Sequence, residues 1–304
     1  MYRTISSLLE QGDCRYTPSG TTVGEIEALA GGIRDRFIER GASADEPVCL
    51  CVGERSHLLA ALLASLAGAP PFILPHTIHP QVLREVHAVR PFRLILADTA
   101  VEPPEGAAVI PVEECRPSPG LLKLVHPPDK AFLSLFTGGS TGKPRIWSKT
   151  PANLFGEALH LAGTFGIGGS DLILPTVPPQ HIYGLLFSVL LPFVASARVV
   201  DRTCTFPQEI LTTLQNEGAT VLVSVPIHYR AMRTGGIRQF SLRLAFSSAA
   251  PLDGDDAAAF REQTGLAINE IYGSTETGGM AVRYYGENHG SWEPFACLDW
   301  KILA

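Results

Sequence analysis

The sequence predicts an α/β protein built from two packed subdomains, each a mainly parallel sheet covered by helices. Short apolar runs of strand length alternate with helix-length segments through most of the chain, a pattern typical of parallel sheets. About ten strands are predicted, which is more than one open sheet commonly holds. The length of 304 residues also allows about two domains.

The predicted elements follow one another in a regular order. In the first half we expect strands at 47–53, 71–74, 93–98 and 131–136, with helices at 56–69 and 80–90. In the second half we expect helices at 150–166, 184–194, 206–218 and 255–265, with strands at 171–177, 197–200, 219–226, 242–248 and 267–273. Thr150 and Pro151 form a helix-start signal, and Gly218 is a stop signal. The Pro-rich stretch 101–130 is predicted to be a linker or an irregular surface excursion.

Composition and charge argue against several classes of protein. The chain has 24 basic and 30 acidic residues, a formal charge of −6 and no basic stripe, which argues against a nucleic-acid-binding surface. Its most apolar windows are interrupted by Pro and lack the roughly 20 apolar residues that a membrane-spanning helix needs. The N-terminus has no signal-peptide pattern, and the six cysteines form no Cys-x-x-Cys pair. We therefore expect a cytoplasmic protein without a membrane span or a nucleic-acid partner.

A loop rich in small and hydroxyl residues follows the strand predicted at 131–136. From Thr137 to Arg145 it reads TGGSTGKPR. Its glycines let the backbone approach an anion, its hydroxyls donate hydrogen bonds, and its Lys and Arg add positive charge. A P-loop is one alternative, but that pattern requires a Gly where Thr137 stands and a Ser or Thr where Pro144 stands. A plain glycine-rich turn is the other alternative.

Two further stretches carry candidate site residues. Residues 269–279, NEIYGSTETGG, contain an aromatic ring at Tyr272, a glycine for a tight turn and a carboxylate at Glu276 that suits Mg²⁺ on a triphosphate. Residues 178–184, PPQHIYG, place His181 after a predicted strand, where open α/β sheets bind ligands. A polar hairpin is the ordinary alternative for the first stretch, and a capping or core histidine is the alternative for the second.

Taken in order, these stretches resemble the motifs of AMP-forming adenylating enzymes, the family of acyl- and aryl-CoA synthetases, nonribosomal peptide adenylation domains and luciferases. FTGGSTGKPR is similar to the phosphate loop of that family, and YGSTET is similar to its adenine and magnesium motif. FSSAAPL at 246–252 resembles the loop that lies along the adenine. VLVSVPIHYRAM at 221–232 resembles the segment that lines the acyl pocket. The resemblance implies the N-terminal part of the adenylating-enzyme fold.

The resemblance also implies a reaction in two halves and a set of site residues. A carboxylate attacks the α-phosphorus of ATP and releases pyrophosphate; the acyl group then passes to the thiol of coenzyme A or of a phosphopantetheinyl carrier protein. ATP and Mg²⁺ are the implied cofactors. His181, Thr275 and Glu276 are the implied catalytic residues, with Glu276 as the metal ligand. The implied nucleotide-binding residues are Thr137, Gly139, Ser140, Thr141, Gly142, Lys143, Arg145, Ser248, Ala249, Ala250, Tyr272, Gly273, Ser274 and Thr275.

The sequence departs from the family pattern at two places. Gly138 stands where Ser is usual, and Arg145 with Ile146 replaces Lys-Gly, so we expect the phosphate contacts to differ in detail. The later Thr-Gly-Asp motif and the lid with its catalytic Lys have no counterpart after Glu276. We therefore interpret residues 1–304 as the large AMP-binding domain, truncated after the Tyr-Gly-Ser-Thr-Glu motif and without the small lid domain. On this interpretation the chain alone is expected to turn over slowly.

The nature of the acid is predicted from the candidate pocket, which includes His181, Tyr183, Ser224 and His228. This mixture of rings and polar groups suits a compact aromatic acid of the hydroxybenzoate type better than a long alkyl chain. Amino acids are disfavoured because no acidic residue stands out in the pattern to receive an ammonium group. Two other classes remain open: a non-catalytic ATP- or AMP-binding module, and a different ATP-using enzyme such as a kinase.

Overall fold

The computed structural model describes residues 1–43, 45–137, 145–233, 241–285 and 290–299. Within this part of the chain, the strands form two sheets, one of six strands and one of seven. Both sheets are mainly parallel and helices connect their strands, so the predicted fold class is confirmed.

The first sheet has the strand order β4-β3-β1-β2-β5-β6. All neighbours are parallel except β5 and β6, which form an antiparallel pair with Thr137 opposite Arg145. The loop predicted to bind phosphate therefore connects the two strands of a hairpin. The strands are β1 (Val48–Cys51), β2 (Phe72–Leu74), β3 (Leu94–Ala97), β4 (Ala108–Pro111), β5 (Leu133–Thr137) and β6 (Arg145–Lys149).

The second sheet has the order β13-β12-β11-β10-β9-β7-β8. Its strands β7 to β11 are parallel, and β12 and β13 are added as antiparallel strands at one edge. The strands are β7 (Leu172–Pro175), β8 (Arg198–Val199), β9 (Val221–Ser224), β10 (Leu244–Ser247), β11 (Ile268–Ser274), β12 (Gly278–Tyr285) and β13 (Glu293–Pro294).

Two of the helix signals predicted from the sequence are seen in the structure. The side chain of Thr150 accepts a hydrogen bond from the backbone N–H of Asn153, and the Asn153 side chain returns one, so the predicted helix start is confirmed. Gly218 ends its helix with φ +67°.

None of the described helices is long and apolar enough to cross a membrane. The helices are α1 (Tyr2–Leu9), α2 (Val23–Glu39), α3 (Arg55–Leu66), α4 (Pro80–Val89), α5 (Pro151–Phe165), α6 (Ile182–Leu185), α7 (Leu191–Val194), α8 (Pro207–Glu217), α9 (Pro226–Met232) and α10 (Gly254–Thr264).

Two local predictions need correction. Strand β4 lies inside 101–130, the stretch that was predicted to be a linker or an irregular excursion. It is an edge strand, paired on one side only and ended by Pro111, and edge strands tolerate the prolines that made this stretch look irregular. The helix predicted at 184–194 is divided into α6, a π-helical turn at 186–190 and α7. The turn precedes Pro192, which has no backbone N–H to continue a regular helix.

A buried apolar core joins the two sheets. One cluster contains Leu50 and Leu135 of the first sheet together with Phe246 and Ile271 of the second. Helix α3 lies within it, fully buried from Leu58 to Leu66. From Leu58 onward this helix is apolar except for Ser65, as expected for a helix with no solvent-facing stripe.

A buried arginine connects the sheets next to this core. Arg55, at the start of α3, is 2% exposed. Its guanidinium donates to the carbonyls of Asp201 (2.9 Å) and Val177 (3.3 Å) and to the hydroxyls of Thr203 (2.8 Å) and Ser188 (3.1 Å). Burial lowers the pKa of Arg55 to about 10, so the side chain is still charged at neutral pH. All four acceptors belong to the second half of the chain, so Arg55 fixes the position of the segment after β7.

We expect Arg55→Met to destabilise the fold by about 2–4 kcal/mol, because it leaves several buried acceptors without a donor. Urea unfolding measures the change in free energy. Arg84→Met is the matched control, since Arg84 is 58% exposed and pairs with an exposed Glu102. Such surface pairs contribute about 0–1 kcal/mol. Equal losses of stability in the two variants would contradict a structural role for the Arg55 contacts.

Candidate functional site

A cavity of about 530 Å³ lies where the C-terminal ends of β5, β7, β9 and β10 meet the β11–β12 turn. Open α/β sheets bind their ligands at this edge. Several predicted site residues line it: Thr137, His181, Tyr183, His228, Ser248, Ala249, Gly273, Ser274 and Thr275. In the described part of the chain, other predicted residues lie outside this lining: Arg145, Ser224, Ala250, Tyr272 and Glu276. The remaining predictions fall outside the described residues: Gly139, Ser140, Thr141, Gly142 and Lys143.

Hydroxyl contacts close the turn between β11 and β12. The Oγ of Ser274 lies 3.1 Å from Oγ1 of Thr277 and accepts the Thr277 backbone N–H at 3.3 Å. Gly273 lies so close to Gly278 that a Cβ at position 273 would be 2.2 Å from the Gly278 carbonyl oxygen. The sequence YGSTETGG therefore folds as a tight turn in which Thr275 faces the cavity and Glu276 is exposed.

The carboxylate of Glu276 is held in its ionised form. A hydrogen bond from its own backbone N–H, a second from the Ser274 hydroxyl and the positive charges of Arg145 and Lys149 together lower the pKa of Glu276. Arg145 begins β6, opposite Thr137, and so lies at the foot of the predicted phosphate loop. The structure thus brings together the two charged residues that were assigned to phosphate and metal.

The segment after β10 lies beside the same turn. Ser248 donates its hydroxyl to the carbonyl of Ile271 at 2.9 Å, which joins this segment to β11. Ala249 has φ +75°, a conformation that non-glycine residues adopt at a cost and that is frequent at functional sites. Tyr272 is 55% exposed, and its ring centroid lies 5.3 Å from that of Trp292. Tyr272 therefore has one side supported by an aromatic partner and much of its surface free for contact.

His181 lies at the mouth of the cavity, immediately before α6. The backbone N–H of Leu185 donates to the His181 carbonyl at 2.8 Å, and the neighbouring Gln180 side chain donates to the Val52 carbonyl at 2.9 Å. Partial desolvation, with a smaller contribution from His76, lowers the pKa of His181. The imidazole is therefore neutral at physiological pH.

One wall of the cavity combines aromatic rings with a hydrogen-bonded imidazole. The centroid of Phe187 lies 4.9 Å from that of Tyr183 and 5.1 Å from that of Phe246. His228 Nδ1 lies 2.7 Å from Oγ1 of Thr176, which in turn lies 2.8 Å from the buried Oγ of Ser224. Ser224 thus lies behind the wall and supports His228. Desolvation lowers the pKa of His228, so this imidazole is also neutral near pH 7.

Two charged residues near the site were missed by the sequence analysis. Glu157, on α5, lines the cavity, and Lys149, at the end of β6, is buried and bonded to the backbone of Glu276. Signals for both were present in the sequence. Lys149 is four residues after Arg145, on the same face of a strand, and Glu157 is the single Asp, Glu, Lys or Arg between Lys149 and Asp171.

The sequence of the chain is similar to those of known proteins. A family model described as AMP-binding enzyme matches residues 17–303. The sulfoacetate–CoA ligase of Cupriavidus necator is 29% identical over 156 residues, 51% of this chain and 31% of that protein. The 4-coumarate–CoA ligase of Rhodobacter capsulatus is 32% identical over 152 residues, 48% of this chain and 38% of that protein. The matched part of the chain thus spans under two fifths of these curated relatives.

Solved structures share the fold over almost the whole chain. ATP-bound MatB from Rhodopseudomonas palustris has a TM-score of 0.78 at 21% identity, over 94% of this chain and 62% of that one. The o-succinylbenzoate CoA synthetase MenE of Bacillus subtilis, in complex with the acyl-adenylate intermediate OSB-AMP, has a TM-score of 0.78 at 18% identity, over 91% and 60%. Identities this low establish the fold alone.

We expect Gly184→Ala to disturb the segment that carries His181. A Cβ at position 184 would lie 2.0 Å from the Pro178 carbonyl oxygen, so the backbone must shift, at a cost of about 1–3 kcal/mol. Thermal unfolding measures the loss. Gly163→Ala, in α5, is the control because its Cβ would meet nothing within 4 Å. There alanine should be neutral or stabilising by up to about 1 kcal/mol. A neutral Gly184→Ala would mean that the turn is not constrained by this contact.

Proposed function

This chain belongs to the AMP-binding enzyme family, and on that premise we propose that it activates a carboxylic acid with ATP. The proposed products of the first step are an acyl adenylate and pyrophosphate. A thiol then receives the acyl group. The names of the matched relatives, which are CoA ligases, support coenzyme A as the thiol. A phosphopantetheinyl carrier protein is a second acceptor with the same chemical group.

The observation that supports adenylation best is the convergence of four sequence segments on one cavity. Thr137, His181, Ser248 and Thr275 come from separate parts of the chain, and all four line it. The order of these segments in the sequence is also that of the family motifs. A plain glycine-rich turn or an isolated polar hairpin would not require the others to meet it.

The first step joins two anions, so the protein acts mainly by positioning and by neutralising charge. In this proposal Thr137, Ser140, Thr141 and Gly142 bind the β- and γ-phosphates, with Lys143 and Arg145 beside them. Thr275 contacts the α-phosphate. Tyr272 and residues 248–250 hold the adenine between a ring and a backbone segment. A carboxylate oxygen of the acid then forms the new bond to phosphorus as the bond to pyrophosphate breaks.

Glu276 fits a role as ligand for Mg²⁺. Its carboxylate is exposed and its pKa is lowered, and an ionised oxygen ligand is what this cation prefers. The described residues contain no group of three or more His, Cys, Asp or Glu side chains that could hold a metal by themselves. Mg²⁺ commonly takes one or two carboxylates and completes its coordination with phosphate oxygens and water. When bound, it supplies charge neutralisation on the triphosphate.

The aromatic wall supports a compact aryl acid as the substrate. Tyr183, Phe187 and Phe136 line the cavity, and the neutral His228 offers a polar contact within the same wall. Aromatic side chains of this kind pack favourably against another ring in offset-stacked or edge-to-face arrangements. His181, at the mouth, is proposed to contact the carboxylate. The interpretation of residues 1–304 as a large domain without the small lid remains a prediction.

We expect ATP–pyrophosphate exchange to depend on the acid, with benzoate-type acids more effective than palmitate, acetate or amino acids. Glu276→Gln should reduce the exchange roughly 100-fold, because it removes the charge that faces Mg·ATP. Glu102→Gln is the control. It changes an exposed carboxylate that is not part of the cavity lining, so it should leave the rate unchanged.

Three results would revise this proposal. Exchange that is fastest with palmitate or an amino acid would exclude the aryl-acid assignment. ATP binding without exchange for any acid would favour the non-catalytic nucleotide-binding module. Formation of ADP in place of AMP would indicate a different class of ATP-using enzyme.

We expect the affinity for the acid to rise as the pH falls from about 8 to about 6. The pKa of free His181 is lowered, so the ring is neutral at the start of this range. A bound carboxylate favours the charged imidazole and raises its pKa, so binding takes up a proton. The acid itself stays ionised throughout this range because carboxyl groups titrate near pH 4.

Calorimetry in two buffers of different ionisation enthalpy measures this proton uptake. His181→Gln should abolish it, whereas His228→Gln should retain it, because His228 is hydrogen-bonded within the aromatic wall. Proton uptake that survives in His181→Gln would place the carboxylate elsewhere in the cavity.

A further inference from the structure

Two opposite charges lie under the turn that carries Thr275 and Glu276. Lys149 is 5% exposed, and its Nζ donates to the Glu276 carbonyl at 3.0 Å. Glu157 accepts the backbone N–H of Gly279 at 2.6 Å. One contact is therefore made at the tip of the turn and the other just after it. Lys149 comes from β6 and Glu157 from α5, so two separate elements hold the turn.

Glu157 lies so close to the turn that its carboxylate restricts which residues can stand at positions 278 and 279. Gly278 has φ +75°, and a Cβ added there would lie 2.3 Å from Oε2 of Glu157. A Cβ at Gly279 would lie 3.1 Å from Oε1. The carboxylate is thus packed directly on the backbone of two glycines, in the space that side chains would otherwise fill. Glycine at positions 278 and 279 therefore lets the carboxylate of Glu157 reach the backbone of the turn.

The charges of Lys149 and Glu157 also offset part of the cost that each pays for being removed from water. Burial raises the pKa of Glu157, and the Gly279 N–H and the Lys149 charge act against that rise. Burial lowers the pKa of Lys149, and the charges of Glu157 and Glu276 act against that fall. Removing either charge therefore leaves the other partly desolvated charge with less compensation.

Lys149 and Arg145 act together on the carboxylate at the tip of the turn. They lie four residues apart in β6, on one face of the strand, and both contribute to the lowered pKa of Glu276. Lys149 thus bonds to the backbone of Glu276 and adds positive charge near its carboxylate.

We propose that Lys149 and Glu157 are positioning residues for the nucleotide: they fix the turn 274–279 so that Thr275 and Glu276 face the phosphates and the accompanying cation. This inference rests on the proposed use of ATP. Neither residue needs to touch the reacting atoms, because each acts through the backbone of the turn.

The test is the Mg²⁺ dependence of ATP binding, measured by calorimetry on the full chain with Lys149→Met, Glu157→Gln and the double variant. We expect Lys149→Met to raise the Mg²⁺ concentration for half-maximal binding roughly 10-fold, through loss of a charge-assisted bond at Glu276. Glu157→Gln keeps an oxygen for the Gly279 N–H and should show a smaller rise. The double variant should show less than the product of the single effects.

A purely structural role predicts a different pattern, in which the melting temperature falls while the Mg²⁺ dependence of the folded protein stays unchanged. That result would overturn the proposal, as would equal losses of affinity for ATP and for AMP. Lys130→Met, on the exposed surface, is the control. If Lys149→Met does not fold, Glu157→Met decides by itself, because it keeps a side chain of similar size but removes the acceptor of the Gly279 N–H.

This test and the proposed acid activation can fail separately. Binding of ATP needs no acid and no turnover, so the positioning role can be measured even if no acid supports pyrophosphate exchange. A wild-type chain with Mg²⁺-dependent ATP binding and no exchange would contradict the activation and leave the positioning role to be decided by the variants. A wild-type chain whose ATP binding ignores Mg²⁺ would overturn the positioning role directly.

Discussion

The buried guanidinium of Arg55 is the contact on which the geometry of the cavity depends. The cavity exists only because two sheets meet with their strand ends facing one space, and Arg55 ties the start of α3 to Val177, Asp201 and Thr203 at that junction. A desolvated cation is costly unless its donors are satisfied, and this one is satisfied by neutral acceptors in a single arrangement. A bond from the Gln180 side chain to the Val52 carbonyl also joins the segment after β7 to the end of β1.

Charge is distributed unevenly around the turn between β11 and β12. Arg145 and Lys149 lie on one strand, Glu276 lies at the tip of the turn, and Glu157 lies on the helix behind it. A polyanion with a divalent cation presents both signs of charge, so a site that binds it requires both signs at defined places. The buried Lys149 and the half-buried Glu157 contact the backbone of the turn, whereas Arg145 and Glu276 are exposed and are proposed to meet the ligand. In this proposal, the residues that support the turn are different from the residues that contact the ligand.

Most of the fold could be predicted from the sequence because it repeats a strong local pattern. Apolar runs in β1, β7 and β9 are buried on both faces, and helix signals such as Thr150 and Gly218 need no tertiary context. Strand β4 was missed because an edge strand with flanking prolines lacks the apolar run that marks a central one.

The candidate site could be predicted from the sequence only in part. The residues predicted to contact a ligand belong to recognisable motifs, and the described ones among them lie in or beside one cavity. Lys149 and Glu157 belong to no motif, and their meeting under the turn depends on the packing of α5 against β12, which only the fold reveals. Ser224 was predicted as a pocket residue and instead supports His228 from behind, because alternation along β9 could not say which face the cavity would use.

The central claim is that a carboxylate oxygen attacks the α-phosphorus of ATP in this cavity, and an isotope experiment tests it most directly. The protein is incubated with Mg·ATP and an aryl acid labelled with ¹⁸O in its carboxyl group, with hydroxylamine present to intercept the activated acyl group. Attack by hydroxylamine at the acyl carbon leaves the bridging oxygen on the phosphate. The account predicts AMP that carries one labelled oxygen, measured by mass spectrometry. AMP without label, or ADP as the nucleotide product, would contradict it.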